Sequence, residues 1–122
     1  MKVLVVDDSS TMRKLVTRTL TETTYKPTKV TEAVDGVDAW EKFCDGDYDL
    51  VLCDMLMPQM IGLEVLRRIK GLKPDQRFIL LTSVKEESMM KKAQELGCSI
   101  YLNKPIRLVD LEAKVEECFP KS

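Results

Sequence analysis

Residues 1–10 read MKVLVVDDSS, an apolar run that stops on two adjacent aspartates, Asp7 and Asp8. Consecutive Val and Leu residues without alternation are typical of a strand that is covered on both faces of a parallel sheet. Two carboxylates about 4 Å apart repel each other by roughly 4 kcal/mol at an effective dielectric near 20. The stretch therefore predicts a buried strand whose carboxyl end carries a charge arrangement that needs a compensating cation or raised pKa values.

Four more short apolar runs follow along the chain, separated by longer segments with helical periodicity. They read TKVTEA (28–33), DLVLCD (49–54), RFILLT (77–82) and SIYLN (99–103). Strands that alternate with helical segments are typical of βαβ units with right-handed crossovers. We predict an α/β fold, a doubly wound, five-stranded parallel sheet with five helices, in a single domain over residues 1–122. TKVTEA alternates polar and apolar residues, which favours an edge strand.

Each helical segment carries an apolar stripe that can pack on the sheet. Ser9 or Ser10 is available to cap the first helix, the third helix begins near Gly62, and Gly97 ends the fourth. In chain order, the predicted inward residues are Met12, Leu15, Val16, Thr19 and Leu20; Val37, Trp40, Phe43 and Cys44; Leu63, Leu66 and Ile69; Met89, Ala93 and Leu96; and Leu108, Leu111, Val115 and Cys118.

The composition excludes several classes of function. Nineteen Lys and Arg residues against 20 Asp and Glu residues give a net charge of −1, so no global basic field favours nucleic acid or an anionic membrane. The chain has no histidine, and its four cysteines form no CxxC pair, which disfavours a zinc site. Cys53 and Cys118 are expected to be small buried thiols in a reducing compartment. Without a signal peptide or a membrane-spanning run, the chain is expected to be soluble and cytoplasmic.

Polar residues stand at the ends of the predicted interior strands. Asp7 and Asp8 follow the first strand, Asp54 ends the third, Thr82 ends the fourth and Lys104 follows the fifth. Ligands of doubly wound sheets bind beyond the carboxyl ends of the strands, so these groups are expected to meet there. Three carboxylates suit Mg²⁺, and a lysine and a hydroxyl suit a phosphoryl group. Taken singly, each residue is as well explained as a turn, a helix cap or a solvated charge; their joint occurrence favours a phosphoryl-binding site.

These residues resemble the receiver domain of bacterial two-component response regulators, in particular the single-domain chemotaxis type. The resemblance covers essentially the whole chain. It is carried by VVDDSSTMRK (5–14), DLVLCDMLMPQMIGLEVL (49–66), LLTS (80–83) and YLNKP (101–105). It implies the flavodoxin-like strand order 2-1-3-4-5, of which a chemotaxis receiver is a standard example.

The resemblance also implies roles for the acidic residues. Asp54 is the expected phospho-acceptor, which attacks the phosphorus of a phosphohistidine. Asp8 and Asp54 are the expected direct Mg²⁺ ligands, together with the backbone carbonyl of Leu56. Asp7 is expected to act on the metal mostly through water.

A second set of residues is implied to read the phosphorylated state. Thr82 and Tyr101 resemble the family's switch pair, a hydroxyl that moves towards the phosphoryl group and a ring that turns inward. Lys104 is expected to pair with a phosphoryl oxygen, and the Lys104–Pro105 bond is often cis in this family. Phosphorylation would then alter the loop after strand four and the face formed by helix four, strand five and helix five.

The partners implied are a sensor histidine kinase, a downstream protein such as a flagellar motor switch protein, and a phosphatase. The protein is expected to be monomeric and to catalyse only its own phosphoryl transfer and dephosphorylation, so that it is not an enzyme in the usual sense. A phosphorelay carrier, or a receiver domain excised from a larger regulator, would have the same sequence features.

Proteins of three other classes share parts of the pattern. A haloacid dehalogenase-type phosphatase also uses a strand-end aspartate and Mg²⁺, but it normally has a second acid two residues later, where this chain has Leu56. A flavodoxin-type carrier needs a Ser-, Thr- and Gly-rich phosphate loop, and DDSSTM would repel its phosphate. An interaction module with an inactive pocket is disfavoured because Asp54, Thr82 and Lys104 are all present.

Overall fold

The computed structural model describes residues 1–57, 61–83 and 87–119, which form a five-stranded parallel sheet flanked by helices. The strand order is β2-β1-β3-β4-β5, so the predicted topology is confirmed and TKVTEA lies at an edge. The strands are β1 (Lys2–Val6), β2 (Lys29–Ala33), β3 (Leu50–Asp54), β4 (Arg77–Thr82) and β5 (Tyr101–Asn103). The helices are α1 (Ser10–Glu22), α2 (Gly36–Cys44), α3 (Gly62–Leu72), α4 (Glu87–Glu95) and α5 (Leu108–Cys118).

Two apolar cores cover the two faces of the sheet. Successive side chains of a strand point to opposite faces, so Val3 and Val5 enter one core while Leu4 and Val6 enter the other. Helices α1 and α5 pack over the first face, and α2, α3 and α4 pack over the second. Continuous burial of β1, β3 and β4 after their first residues explains why these runs are apolar throughout.

The apolar stripes were predicted on the correct helices, but four of the residues assigned to them are exposed. Leu15, Val37, Cys44 and Leu108 are exposed. In α2 the buried residues are Gly36, Ala39 and Phe43, so Val37 and Cys44 each stand one position, or about 100° of helix rotation, off the buried line. Leu15 has the same offset from Val16, and Leu108 is the first residue of α5, before the helix reaches the sheet.

The predicted helix ends and thiols are confirmed where the structure describes them. The Ser9 hydroxyl accepts a hydrogen bond from the Met12 N–H at 3.2 Å and so caps α1. Gly97, with φ of 99°, follows α4 in the left-handed conformation that glycine tolerates. Cys53 and Cys118 are buried free thiols. Across the described residues, the helices are too short or too polar to cross a bilayer.

Strand register sets the position of the site. Val6 pairs with Cys53, Asp54 pairs with Leu81, and Thr82 pairs with Asn103. The residues that follow β1 and β5 therefore reach the same edge as the ends of β3 and β4. Residues 58–60, 84–86 and 120–122 lie outside the described residues. They include part of the predicted DLVLCDMLMPQMIGLEVL motif and the predicted switch loop after β4.

Candidate functional site

Three carboxylates meet at the carboxyl edge of the sheet. One carboxylate oxygen from each of Asp7, Asp8 and Asp54 lies within 4.8 Å of those of the other two. Asp7 and Asp54 are buried at the ends of β1 and β3, and Asp8 is exposed at the mouth of the cluster. Hard carboxylate oxygens at this spacing, open to water on one side, fit Mg²⁺, which keeps several waters when it binds to proteins.

Lys104 lies inside this cluster rather than on the surface. Its Nζ is 3.1 Å from Asp7 Oδ2 and 3.2 Å from Asp54 Oδ1, and its side chain is only 18% exposed. The Lys104 N–H donates to the Thr82 carbonyl at 2.9 Å, which fixes the loop after β5 to the end of β4. The Lys104–Pro105 bond is cis, as predicted. The alternative of a solvated surface lysine is therefore excluded.

The site holds more negative charge than its lysine neutralises. Three carboxylates and one ammonium leave a formal charge of −2 among Asp7, Asp8, Asp54 and Lys104. Burial raises the pKa of the Asp54 carboxyl above its ordinary 3.8 and the Asp7 charge adds to this rise, although the Lys104 ammonium and the Leu56 backbone N–H oppose it. An excess of two negative charges favours a divalent cation.

The Lys104 ammonium is stabilised in its charged form. Burial lowers its pKa, but attraction to Asp54 and hydrogen bonds with both buried carboxylates outweigh the burial, so the pKa is raised above 10.5. Lys104 therefore remains a cation at neutral pH. Its charge is available to any anion that binds beside Asp54.

Asp7 is fixed from both ends of its carboxylate. Its Oδ1 accepts a hydrogen bond from the Ser9 N–H at 2.9 Å, and its Oδ2 accepts one from Lys104 at 3.1 Å. The side chain is fully buried. Both oxygens of Asp7 therefore have a partner within the protein, and its action on a metal through water stays a prediction, as do the direct-ligand roles of Asp8 and Asp54.

Gly62 is part of the site, and the sequence reasoning used it only as the start of α3. Its N–H donates to the Met55 carbonyl at 2.9 Å. A Cβ on Gly62 would lie 2.3 Å from the Asp54 carbonyl oxygen, a distance that real Cβ atoms do not show. Only glycine lets the amino end of α3 pack against the backbone that carries Asp54. The sequence did contain one sign of this close packing, a glycine at the predicted start of a helix, where other residues are more common.

Of the predicted switch residues, Thr82 lies on β4, which pairs with the strand of Asp54, and Tyr101 lies on β5, one strand further out. Thr82 is buried at the end of β4, one residue beyond the partner of Asp54 in the register. The Tyr101 ring is half-buried in β5, and its hydroxyl lies 2.9 Å from the Met90 carbonyl of α4. The Leu56 side chain is exposed, while its backbone N–H reaches the Asp54 carboxylate. All seven predicted site residues thus belong to this edge or to the adjoining contact between β5 and α4.

Comparison with known proteins points to one family. The family model for the response regulator receiver domain matches residues 3–116. Chemotaxis protein CheY1 of Helicobacter pylori is 36% identical over 122 residues, which covers 95% of this chain and 94% of that protein. A protein-glutamate methylesterase/protein-glutamine glutaminase of Caulobacter vibrioides is 38% identical over 86% of this chain, but this match covers 30% of its length.

Comparison with solved structures points to the same family. Vibrio cholerae chemotaxis protein CheY4 superposes with a TM-score of 0.86 at 27% identity, covering 96% of this chain and 97% of that chain. A chain from the CheX–CheY–BeF₃–Mg²⁺ complex of Borrelia burgdorferi gives a TM-score of 0.89 at 26% identity, covering 99% and 90%. The fold, the clustered acids and the sequence match over most of the chain place it in the family of response regulator receiver domains, of the CheY type.

Proposed function

We propose that this chain is a signalling protein that accepts a phosphoryl group on Asp54 in a Mg²⁺-dependent reaction and thereby changes its binding face. The observation that carries the proposal is the cluster itself, three carboxylates within 4.8 Å with Lys104 on two of them. An excess negative charge beside one buried cation suits a metal ion and a phosphoryl group together.

The residues would divide the chemistry as follows. An oxygen of the ionised Asp54 attacks the phosphorus of a phosphohistidine, the P–N bond breaks, and its electron pair stays on the imidazole nitrogen. The Lys104 ammonium gives up part of its contact with Asp54 and pairs with a phosphoryl oxygen. Its hydrogen bond to Asp7 keeps the ammonium in place. Asp8 and Asp54 would hold the ion with the Leu56 carbonyl. Bound Mg²⁺ supplies neutralisation of the phosphoryl oxygens, the main requirement of such a transfer.

The output would pass from Thr82 to the face of α4, β5 and α5. The Thr82 hydroxyl is at the end of the strand adjacent to Asp54 and can donate to a phosphoryl oxygen. The Tyr101 hydroxyl contacts the Met90 carbonyl, so a rotation of this ring would alter the packing between β5 and α4. A groove of about 510 Å³ lies on this face, between Tyr101 and the two helices. Partner affinity would therefore respond to the phosphoryl group.

The pathway proposed is chemotaxis, because relatives that match nearly the full chain are chemotaxis proteins. The phosphoryl donor would be a sensor histidine kinase. The receiver would be a monomeric cytoplasmic protein that binds no nucleic acid, with a flagellar motor switch protein as target. A phosphatase would reset it, and a protein similar to the CheX of the Borrelia complex is a further candidate partner. Its only catalysis would be on its own aspartyl phosphate.

A second candidate is supported by the methylesterase match. There a sequence like this one makes up less than a third of a larger protein. The same chemistry would then serve as the input domain of a longer regulator, or as a carrier in a phosphorelay. A flagellar target that binds the beryllofluoride-treated protein would favour the free chemotaxis protein, whereas transfer from Asp54 to a second histidine domain would favour a carrier.

The chemistry can be tested with acetyl phosphate. With Mg²⁺ present, the protein should gain one phosphoryl group on Asp54, detected by intact mass and by peptide mapping after borohydride trapping. Asp54→Asn should abolish the gain, and omission of Mg²⁺ should reduce it strongly. Asp75→Asn, an exposed aspartate at the opposite end of the sheet, serves as control and should behave like wild type. A phosphoryl group on any other residue would contradict the proposal.

A further inference from the structure

Arg13 contacts the backbone between the two acidic residues Asp7 and Asp8. It is in the first turn of α1, and its Nη1 donates to the Asp7 carbonyl oxygen at 2.7 Å. This carbonyl belongs to the peptide that joins Asp7 to Asp8. The Arg13 side chain is only 12% exposed, which is low for an arginine on an outer helix. The Arg13 guanidinium is therefore held against the protein by this contact and does not extend into solvent.

The other side of the guanidinium is tied to strand β2. Arg13 Nε donates to Glu32 Oε1 at 3.0 Å. The backbone of β2 also holds Asp7 directly, since the Asp7 N–H donates to the Ala33 carbonyl at 3.2 Å. The Lys42 ammonium of α2 in turn binds the Glu32 carbonyl at 2.5 Å. The Asp7 N–H is thus bound directly to β2. The Asp7 carbonyl is bound to the same strand through Arg13 and Glu32.

We propose that Arg13 and Glu32 form a clamp that positions the Asp7–Asp8 peptide for metal binding, an inference that rests on the proposed function. The Asp8 side chain is exposed, and no described residue donates a hydrogen bond to its carboxylate. The backbone of Asp8 consequently decides which positions this carboxylate can reach. A planar guanidinium that binds a carbonyl on one side and a carboxylate on the other fixes this backbone in two directions.

Charge and geometry predict opposite effects of removing Arg13. If only its charge mattered, loss of a cation near the carboxylates would strengthen Mg²⁺ binding. If it positions Asp8, its loss frees the peptide and weakens Mg²⁺ binding. Glu32 has a matching role, because it neutralises the guanidinium so that the clamp adds no net charge beside the metal. The sign of the change in Mg²⁺ affinity therefore identifies the mechanism.

The test is the Mg²⁺ dissociation constant measured by calorimetry, without any phosphoryl donor. Arg13→Met should raise the constant by about tenfold, the lower end of what loss of a residue supporting a metal ligand costs. Arg18→Met is the matched control, since Arg18 is an exposed arginine of the same helix, and it should leave the constant unchanged. Urea unfolding without Mg²⁺ shows whether each variant is folded at the assay temperature.

Two milder variants keep the test decisive if Arg13→Met folds poorly. Arg13→Lys retains the charge but not the planar fork, so its dissociation constant should also rise. Glu32→Gln should raise it by a smaller factor, but loss of a negative charge alone predicts the same sign, so the decision between charge and geometry rests on the two Arg13 variants. Any one of three results would overturn the clamp. Arg13→Lys could bind Mg²⁺ with wild-type affinity, Arg13→Met could bind it more tightly than wild type, or Arg13→Met could be less stable and still bind Mg²⁺ normally.

The outcomes also separate this inference from the function on which it rests. If wild type binds Mg²⁺ and the Arg13 and Glu32 variants bind it equally well, the clamp is wrong and the proposed function stands. If wild type itself does not bind Mg²⁺, both are wrong.

Discussion

At the amino end of the sheet the charge of Arg77 has partners of matching chemistry, whereas at the carboxyl end like charges are crowded together. Arg77 begins β4, donates from Nε to the Cys118 carbonyl at 2.7 Å and lies 4.5 Å from the centroid of the Phe119 ring. At the other end of the neighbouring strand, Asp54 is buried beside Asp7 with one lysine between them. The first arrangement stabilises the fold, and the second is expected to cost stability, as sites shaped for binding commonly do.

The largest expected effect is at the tightest contact of the carboxyl end. Gly62→Ala should destabilise the protein by about 3 kcal/mol, because the new Cβ would overlap the Asp54 carbonyl oxygen and force the backbone apart. Displacement of the Asp54 backbone should also weaken Mg²⁺ binding. Urea unfolding measures the first effect and calorimetry the second.

Gly71→Ala is the matched control in the same helix. Nothing lies within 4 Å of a Cβ at Gly71, so this change should leave Mg²⁺ binding intact and stabilise the protein by up to about 1 kcal/mol through helix propensity. Equal stability changes in the two variants would contradict the steric role of Gly62.

A smaller effect is expected at the amino end, and on stability alone. Arg77→Met should cost about 2 kcal/mol, since it removes a charged hydrogen bond and the contact with the Phe119 ring. Phosphorylation by acetyl phosphate should stay at the wild-type rate, because Arg77 stands at the opposite end of β4 from Thr82. A rate loss larger than that of the exposed Arg18→Met control would show that the two ends are coupled.

The sequence predicted those parts of the molecule that depend on local pattern and topology. Continuous apolar runs identified the strands, and parallel order alone brought Asp7, Asp54 and Thr82 to one edge. Helix stripes were less secure, because the identity of an apolar residue does not reveal whether it lies at the centre or the margin of a buried face. Leu15, Val37 and Cys44 were misplaced for that reason.

Contacts between side chains distant in sequence could not be predicted in the same way. The bond between Lys104 and Asp7 joins residues 97 positions apart, and only the folded sheet shows that one ammonium serves two carboxylates. The closeness of Gly62 to the Asp54 backbone likewise depends on how α3 approaches β3. Family resemblance implied roles for Asp7, Asp54 and Lys104, but not their distances or hydrogen bonds.

The smallest expected effect is a gain in stability at the carboxyl end. Without Mg²⁺, Asp54→Asn should stabilise the protein at pH 7 by about 1 kcal/mol, because burial and the Asp7 charge disfavour the ionised carboxylate by more than Lys104 and the Leu56 N–H favour it. Urea unfolding of the two proteins at several pH values gives the comparison. Asp75→Asn, at an exposed position, should change stability little at any pH.

The pH dependence has a definite sign. The pKa of Asp54 is raised in the folded protein above the ordinary 3.8, so between these two pKa values the folded state binds more protons than the unfolded state. Wild-type stability from this group therefore falls as pH rises through that window, and the advantage of Asp54→Asn is greatest above the raised pKa and shrinks towards acid pH. If Asp54→Asn were instead less stable than wild type at pH 7, attraction to Lys104 would exceed the cost of burial. The carboxyl end would then resemble the amino end, with its charges matched even before a metal binds.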